Sequence, residues 1–216
     1  MWDWSFLIIT ALIWTWSGYL FYRVMSAEKD IVCSGRMRIV YCVVMAAAAL
    51  LIIWAMCAIY YDYEYLERLK RLCLLAVIWP IAYIDYKTYR IPNVFIISGL
   101  VCRGGLLLAE LLMNSSEVGS IVLSELAAAG ALMLAAVLCR LMIKDAIGFG
   151  DMKLFILMGF MLGMDGIWAA MFLALIVAFI VSIFVLVTRR KSKKDVIPFG
   201  PALVIGIYLS VFLTGK

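Results

Sequence analysis

Apolar residues in this chain run on in blocks of roughly twenty, parted by short charged or glycine-rich segments. They do not show the alternation of a barrel strand. A block of that length crosses the hydrocarbon layer as an α-helix, which satisfies its own backbone there. The pattern predicts spans over about 5–25, 39–60, 72–83, 92–113, 118–142, 152–162 and 167–188, and a last one opening after Pro201. The expected fold class is therefore all-α, a polytopic membrane helical bundle of about eight transmembrane or partly inserted helices. The 152–162 block is too short to cross upright. Residues 62–71 read as a separate surface helix, because Glu64 with Arg68 and Glu67 with Arg71 stand four apart. Gly163-Met164-Asp165-Gly166 reads as a tight turn, and Pro92 as a helix start.

Composition agrees with this pattern and removes several classes of function. Of 216 residues, 67% are apolar and 15% charged, against about half and a quarter in a soluble domain. No repeat of fixed period and no low-complexity tract divides the chain, so residues 1–216 are read as a single membrane-embedded domain. Met1-Trp2-Asp3-Trp4 carries no basic segment and no small-residue cleavage site follows, so the first span is expected to be retained. The six cysteines (Cys33, Cys42, Cys57, Cys73, Cys102, Cys139) form no Cys-x-x-Cys pair, and neither disulfides nor a zinc site is expected. No cofactor is expected either. The chain has no histidine, which excludes Ser-His and Cys-His nucleophile pairs and the His-Glu-x-x-His zinc site. An enzyme built from this sequence does its acid and base work with carboxylates.

Basic residues set the orientation. Arg23, Lys29, Arg36 and Arg38 gather around the 26–38 loop, and Arg189-Arg190-Lys191-Ser192-Lys193-Lys194 follows the 167–188 block. The positive-inside rule places both segments in the cytoplasm and both termini outside. The expectation is a multi-pass protein of the inner, cytoplasmic membrane, its basic run touching anionic lipid, with no nucleic-acid partner. Two spans separate Asp85 from Asp151, and an even number of crossings returns the chain to the same face. Both aspartates are thus expected at cytoplasmic ends of helices.

Asp151 lies in the run Ile147-Gly148-Phe149-Gly150-Asp151-Met152-Lys153, between two apolar blocks. An aspartate at the mouth of a membrane helix is costly to desolvate and is kept for a proton, an ion or a bond to be broken. If Asp85 and Asp151 face each other at low dielectric, they cannot both ionise cheaply, and the pair holds one proton. One carboxylate then takes a proton from water while the other donates to a scissile carbonyl. Gly148 and Gly150 let the backbone bend and an extended substrate strand approach. Alone, a Gly-x-Gly-Asp string is a weak signal, because glycine punctuates turns and Asp caps helices.

Three segments raise its weight: Asp85 followed by Arg90-Ile91-Pro92-Asn93, Gly148-Phe149-Gly150-Asp151-Met152-Lys153 at the head of a helix, and Pro198-Phe199-Gly200-Pro201 before the last span. In this order they resemble the type IV prepilin peptidase family of membrane aspartic peptidases, over most of the chain from about Leu72. The resemblance implies an endopeptidase that cuts the short basic leader of prepilins or pseudopilins at the cytoplasmic face. Asp85 and Asp151 match the family's catalytic pair; Gly148, Phe149, Gly150 and Lys153 match the motif around the second aspartate and are taken as substrate-binding. Many bacterial members also N-methylate the new pilin terminus and carry paired Cys-x-x-Cys motifs in a large loop after the first span. Here the loop 26–38 is short and holds only Cys33, so peptidase without methyltransferase activity is expected. The compact form looks like the smaller members of Tad-type pilus systems.

The same residues admit other readings. Gly-x-Gly-Asp and Pro201-Ala202-Leu203 also resemble signal-peptide-peptidase and presenilin-like intramembrane proteases. A small proton-coupled transporter would use Asp85 and Asp151 to carry its proton, and an inactive scaffold would need neither. Lys153, two positions after Asp151, is off that residue's face on a regular helix, and reads either as a lysine reaching lipid phosphate or as a contact to an acidic substrate residue. Arg103, in mid-span, is expected to pair with Glu110 or Glu125. Asp145 is the rival carboxylate, read as a solvated loop residue.

Overall fold

The structure, a computed structural model, describes residues 4–27, 64–113, 115–143, 147–187 and 198–213, together with Val43, Ala47, Leu50, Leu51 and Trp54. Among the described residues all regular structure is helical: α1 (Trp4–Ala27), α2 (Tyr65–Thr88), α3 (Asn93–Met113), α4 (Ser115–Met142), α5 (Phe149–Val187) and α6 (Gly200–Leu213). Four of these, α1, α3, α4 and α5, are long and apolar enough to cross a membrane, and α6 is a shorter apolar helix. The fold is a polytopic helical bundle, with six helical elements among the described residues where about eight are expected over the whole chain. The 39–60 block lies outside the described residues apart from those five, which are helical. The 152–162 and 167–188 blocks lie on either side of a non-helical residue, Gly163, within α5.

The bundle is built around α2. Leu72, Leu74, Leu75, Ala76, Ile78 and Ile81 are fully buried, and the helix packs on α1, α3, α5 and α6. The expected break between a surface helix at 62–71 and a span at 72–83 does not occur, because the charged first turns of α2 find partners inside the bundle. Lys70 is buried, bonded to Glu67 and 3.7 Å from Glu125 of α4. Arg68 lies over the Phe6 ring of α1, 5.4 Å from its centroid, rather than pairing with Glu64.

Pro80 sits inside α2, where it has no N–H to give the Ala76 carbonyl one turn earlier. A carbonyl freed in an apolar interior has to find another donor. The Ser17 hydroxyl of α1 supplies one at 2.6 Å, and the Tyr208 hydroxyl of α6 reaches the neighbouring Leu75 carbonyl at 3.4 Å. The carbonyl that the proline frees thereby ties α1 to the central helix, and the Tyr208 contact ties α6 to it one residue earlier.

α5 is broken at Gly163, whose φ of 62° and ψ of −174° belong to glycine alone. A straight helix would carry Ala174 about 34 Å from Asp151 at 1.5 Å per residue. Instead Ala174 packs on Gly206, within about two turns of Gly200, whose N–H bonds Asp85. The chain therefore doubles back at Gly163, as the predicted turn requires, with Met164 already helical. The Met164 N–H, released from the helix, is taken by the Ser124 hydroxyl at 3.0 Å.

Arg103 engages both glutamates rather than one. Only 1% exposed, it donates from Nε to Glu125 at 2.9 Å and from its terminal nitrogens to Glu110 at 3.1 and 2.9 Å. Removing one partner of such a group leaves the others charged and unpaired. Arg103→Ala is expected to cost about 3–5 kcal/mol in unfolding measurements in detergent, and Arg103→Met combined with Glu110→Gln and Glu125→Gln much less. Ser17→Ala, which strands the Ala76 carbonyl, is expected to cost about 1–2 kcal/mol by the same measurement; wild-type stability would mean that the carbonyl has another donor.

Candidate active site

Asp85 lies in the last turn of α2, where the helix ends at Tyr89. Tyr89 takes up φ 54°, ψ 32°, a left-handed conformation that is costly for a tyrosine. Its N–H caps the helix by donating to the Asp85 carbonyl at 2.8 Å. The residues 90–92 then lead into α3 at Asn93, with Pro92, which lacks an N–H, just ahead of the first turn.

The buried Asp85 carboxylate accepts the Gly200 N–H through Oδ2 at 3.0 Å. Gly200 opens α6, so the charge meets the positive end of that helix. A Cβ on Gly200 would lie 2.5 Å from the same oxygen; the contact exists because the side chain is absent.

Asp151 lies in the first turn of α5, which starts at Phe149, three residues before the expected start at 152. Its carboxylate lies against Gly148, where a Cβ would come 3.2 Å from Oδ2, and it feels the charge of Asp85. A Cβ on Gly150 would lie 3.2 Å from the Ile91 Cβ, so the 89–93 turn seats directly on the glycine segment.

Asp85, Gly148, Phe149, Gly150, Asp151 and Lys153, the six residues singled out in the sequence, all line one cavity of about 360 Å³. Tyr89, Arg90, Ile91 and Asn93 complete it. Lys153 was expected to be off the face of Asp151, yet it borders the same space, because the cavity wraps around the first turn of α5 toward α3. Its ammonium donates to the Asn93 side-chain oxygen at 2.8 Å. The sequence signal for Gly200 was its Pro-Phe-Gly-Pro setting, which does not reveal a bond to Asp85; nothing local signalled the conformation of Tyr89. Asp145 and the basic run at 189–194 lie outside the described residues. Among the described residues no group of three or more His, Cys, Asp or Glu is placed to hold a metal ion, and Cys73, Cys102 and Cys139 are free.

Comparison with known proteins places the chain in a family. Residues 72–187 match the type IV leader peptidase family. A prepilin leader peptidase/N-methyltransferase of Bacillus subtilis (strain 168) is 34% identical over 84 residues, which are 39% of this chain and 33% of that protein. The match thus spans about a third of that relative's length. No solved structure matches.

The closeness of Gly200 to Asp85 predicts the effect of a single methyl group. Gly200→Ala is expected to lower unfolding stability in detergent by about 1–3 kcal/mol. Gly150→Ala, which meets only the Ile91 side chain, should cost less; the reverse order would contradict the Gly200 contact.

Proposed function

The chain belongs to the type IV leader peptidase family, and we propose that it is a membrane aspartic endopeptidase that removes the leader from prepilins or pseudopilins. One observation carries the reading: Asp85 on α2 and Asp151 on α5 open onto the same cavity, close enough for one charge to act on the other. Two carboxylates so placed share a proton. The ionised one takes a proton from water as the water oxygen attacks the scissile carbonyl carbon, and the protonated one gives its proton to the carbonyl oxygen. On collapse, one hydroxyl of the intermediate returns a proton to the former acid. The C–N bond breaks, and the former base passes its proton to the leaving amine, which restores the pair.

The backbone donor of Gly200 and the close approach of Gly148 hold the two carboxylates in place for this exchange. Gly148, Phe149 and Gly150 form the wall along which the segment around the scissile bond lies extended, its own backbone close to theirs. Lys153, anchored on Asn93, marks the rim for an acidic residue beyond the cut. The basic loop 26–38 and the run 189–194 support an inner-membrane protein with its site at the cytoplasmic face, where anionic lipid also attracts a basic leader. A 26–38 loop that holds only Cys33 supports peptidase without methyltransferase activity.

Purified protein in detergent is expected to shorten a prepilin at its leader junction. Asp85→Asn and Asp151→Asn are each expected to slow this by about 10²–10⁴-fold while unfolding at close to the wild-type temperature. Cleavage by either variant at the wild-type rate would overturn the assignment.

A further inference from the structure

The segment that carries Asp151 has few anchors of its own. Gly148 and Gly150 bring no side chain to it, and a backbone with alternating glycines ranges widely unless it is held from outside. The hold comes from the preceding helix. Arg140, in the last turn of α4, donates from a terminal nitrogen to the Ile147 carbonyl at 2.9 Å. The same guanidinium lies over the Phe149 ring, 4.1 Å from its centroid.

These two contacts fall on either side of Gly148, the residue against which the Asp151 carboxylate lies, a Cβ there coming 3.2 Å from Oδ2. We propose that Arg140 is a positioning residue for Asp151: it clamps the backbone at 147 and 149, and so aims Gly148, and with it the carboxylate, into the cavity. Arginine suits the task because its planar fork donates in its own plane while its face stacks on a ring. A lysine can do one of these but not both at once. Arg140 does not line the cavity with the aspartates; it acts through the segment it holds. The effect on rate rests on the peptidase reading, whereas the clamp itself does not.

The test uses the full chain in detergent and two readouts: amide hydrogen exchange over 147–151, and the kinetics of prepilin cleavage. Arg140→Ala is expected to speed exchange in that segment about tenfold or more and to lower kcat by a similar factor, with KM and the unfolding temperature little changed. Arg140→Lys should recover part of both effects. Phe149→Ala added to Arg140→Ala should speed exchange no further, because both remove the same clamp. Arg140→Gln, which keeps a donor but loses the cationic plane, serves if the alanine variant does not accumulate. Unchanged exchange in these Arg140 variants, a rate loss carried by KM alone, or additive exchange in the double variant would overturn the clamp. If the wild type cleaves no prepilin, the peptidase reading fails while the exchange readout still decides on Arg140.

Discussion

A polar group taken out of water keeps its place only if a partner is brought to it, and where a helix has already spent its own backbone donors, that partner has to come from elsewhere in the bundle. Most of the long-range polar contacts in this protein answer that demand. Pro80 frees a carbonyl and Ser17 arrives at 2.6 Å; Gly163 frees an amide and Ser124 takes it at 3.0 Å. Glu110 and Glu125 converge on Arg103. Apolar side chains have little reason to prefer one another over lipid tails. These matches therefore contribute strongly to which helix faces which, and at what height.

The candidate site meets the same demand in a different way. Asp85 is met by the backbone N–H of Gly200 at the head of α6, and the Asp151 carboxylate lies against Gly148 just ahead of α5. A main-chain donor reaches a carboxylate so directly only where no side chain intervenes. Glycine at 200 follows from that approach rather than from the composition of α6 itself, which is mostly apolar. The left-handed Tyr89 belongs to the same arrangement: it ends α2 abruptly after Asp85, so that Ile91 can fold onto Gly150. Strain in one residue is offset by a cavity wall built from two distant parts of the chain.

What could be read in advance divides along the same line. The lengths of the apolar blocks report the solvent, not the neighbours, so an all-helical membrane bundle was legible without any tertiary information. The pairing of Asp85 with Asp151 was legible because the parity of crossings puts both at one end. The continuity of α2 was not. Its charged first turns read as surface as long as only the spacing of Glu64, Glu67, Arg68 and Arg71 is considered; inside the bundle Phe6 and Glu125 await Arg68 and Lys70. The double engagement of Arg103, the placement of Lys153 beside Asn93 and the bond from Gly200 to Asp85 all depend on contacts between different helices. No local pattern encodes them.

The two polar clusters of the bundle show what distinguishes a structural group from a chemical one. Around Arg103, two carboxylates meet a guanidinium head-on, with Lys70 close to one of them, so the charges are neutralised and the hydrogen bonds taken up. Such a group has little left to offer a substrate. In the cavity at the far end of the first arm of α5, the two carboxylates act on each other, and the charged contact that Lys153 makes there is to the neutral Asn93. Backbone dipoles stabilise a negative charge there without cancelling it. A carboxylate so held can exchange a proton without breaking an ion pair, which is what acid–base chemistry at a peptide bond needs. Incomplete compensation at one end of the bundle, set against complete compensation within it, is the physical ground on which a reaction at Asp85 and Asp151 is proposed.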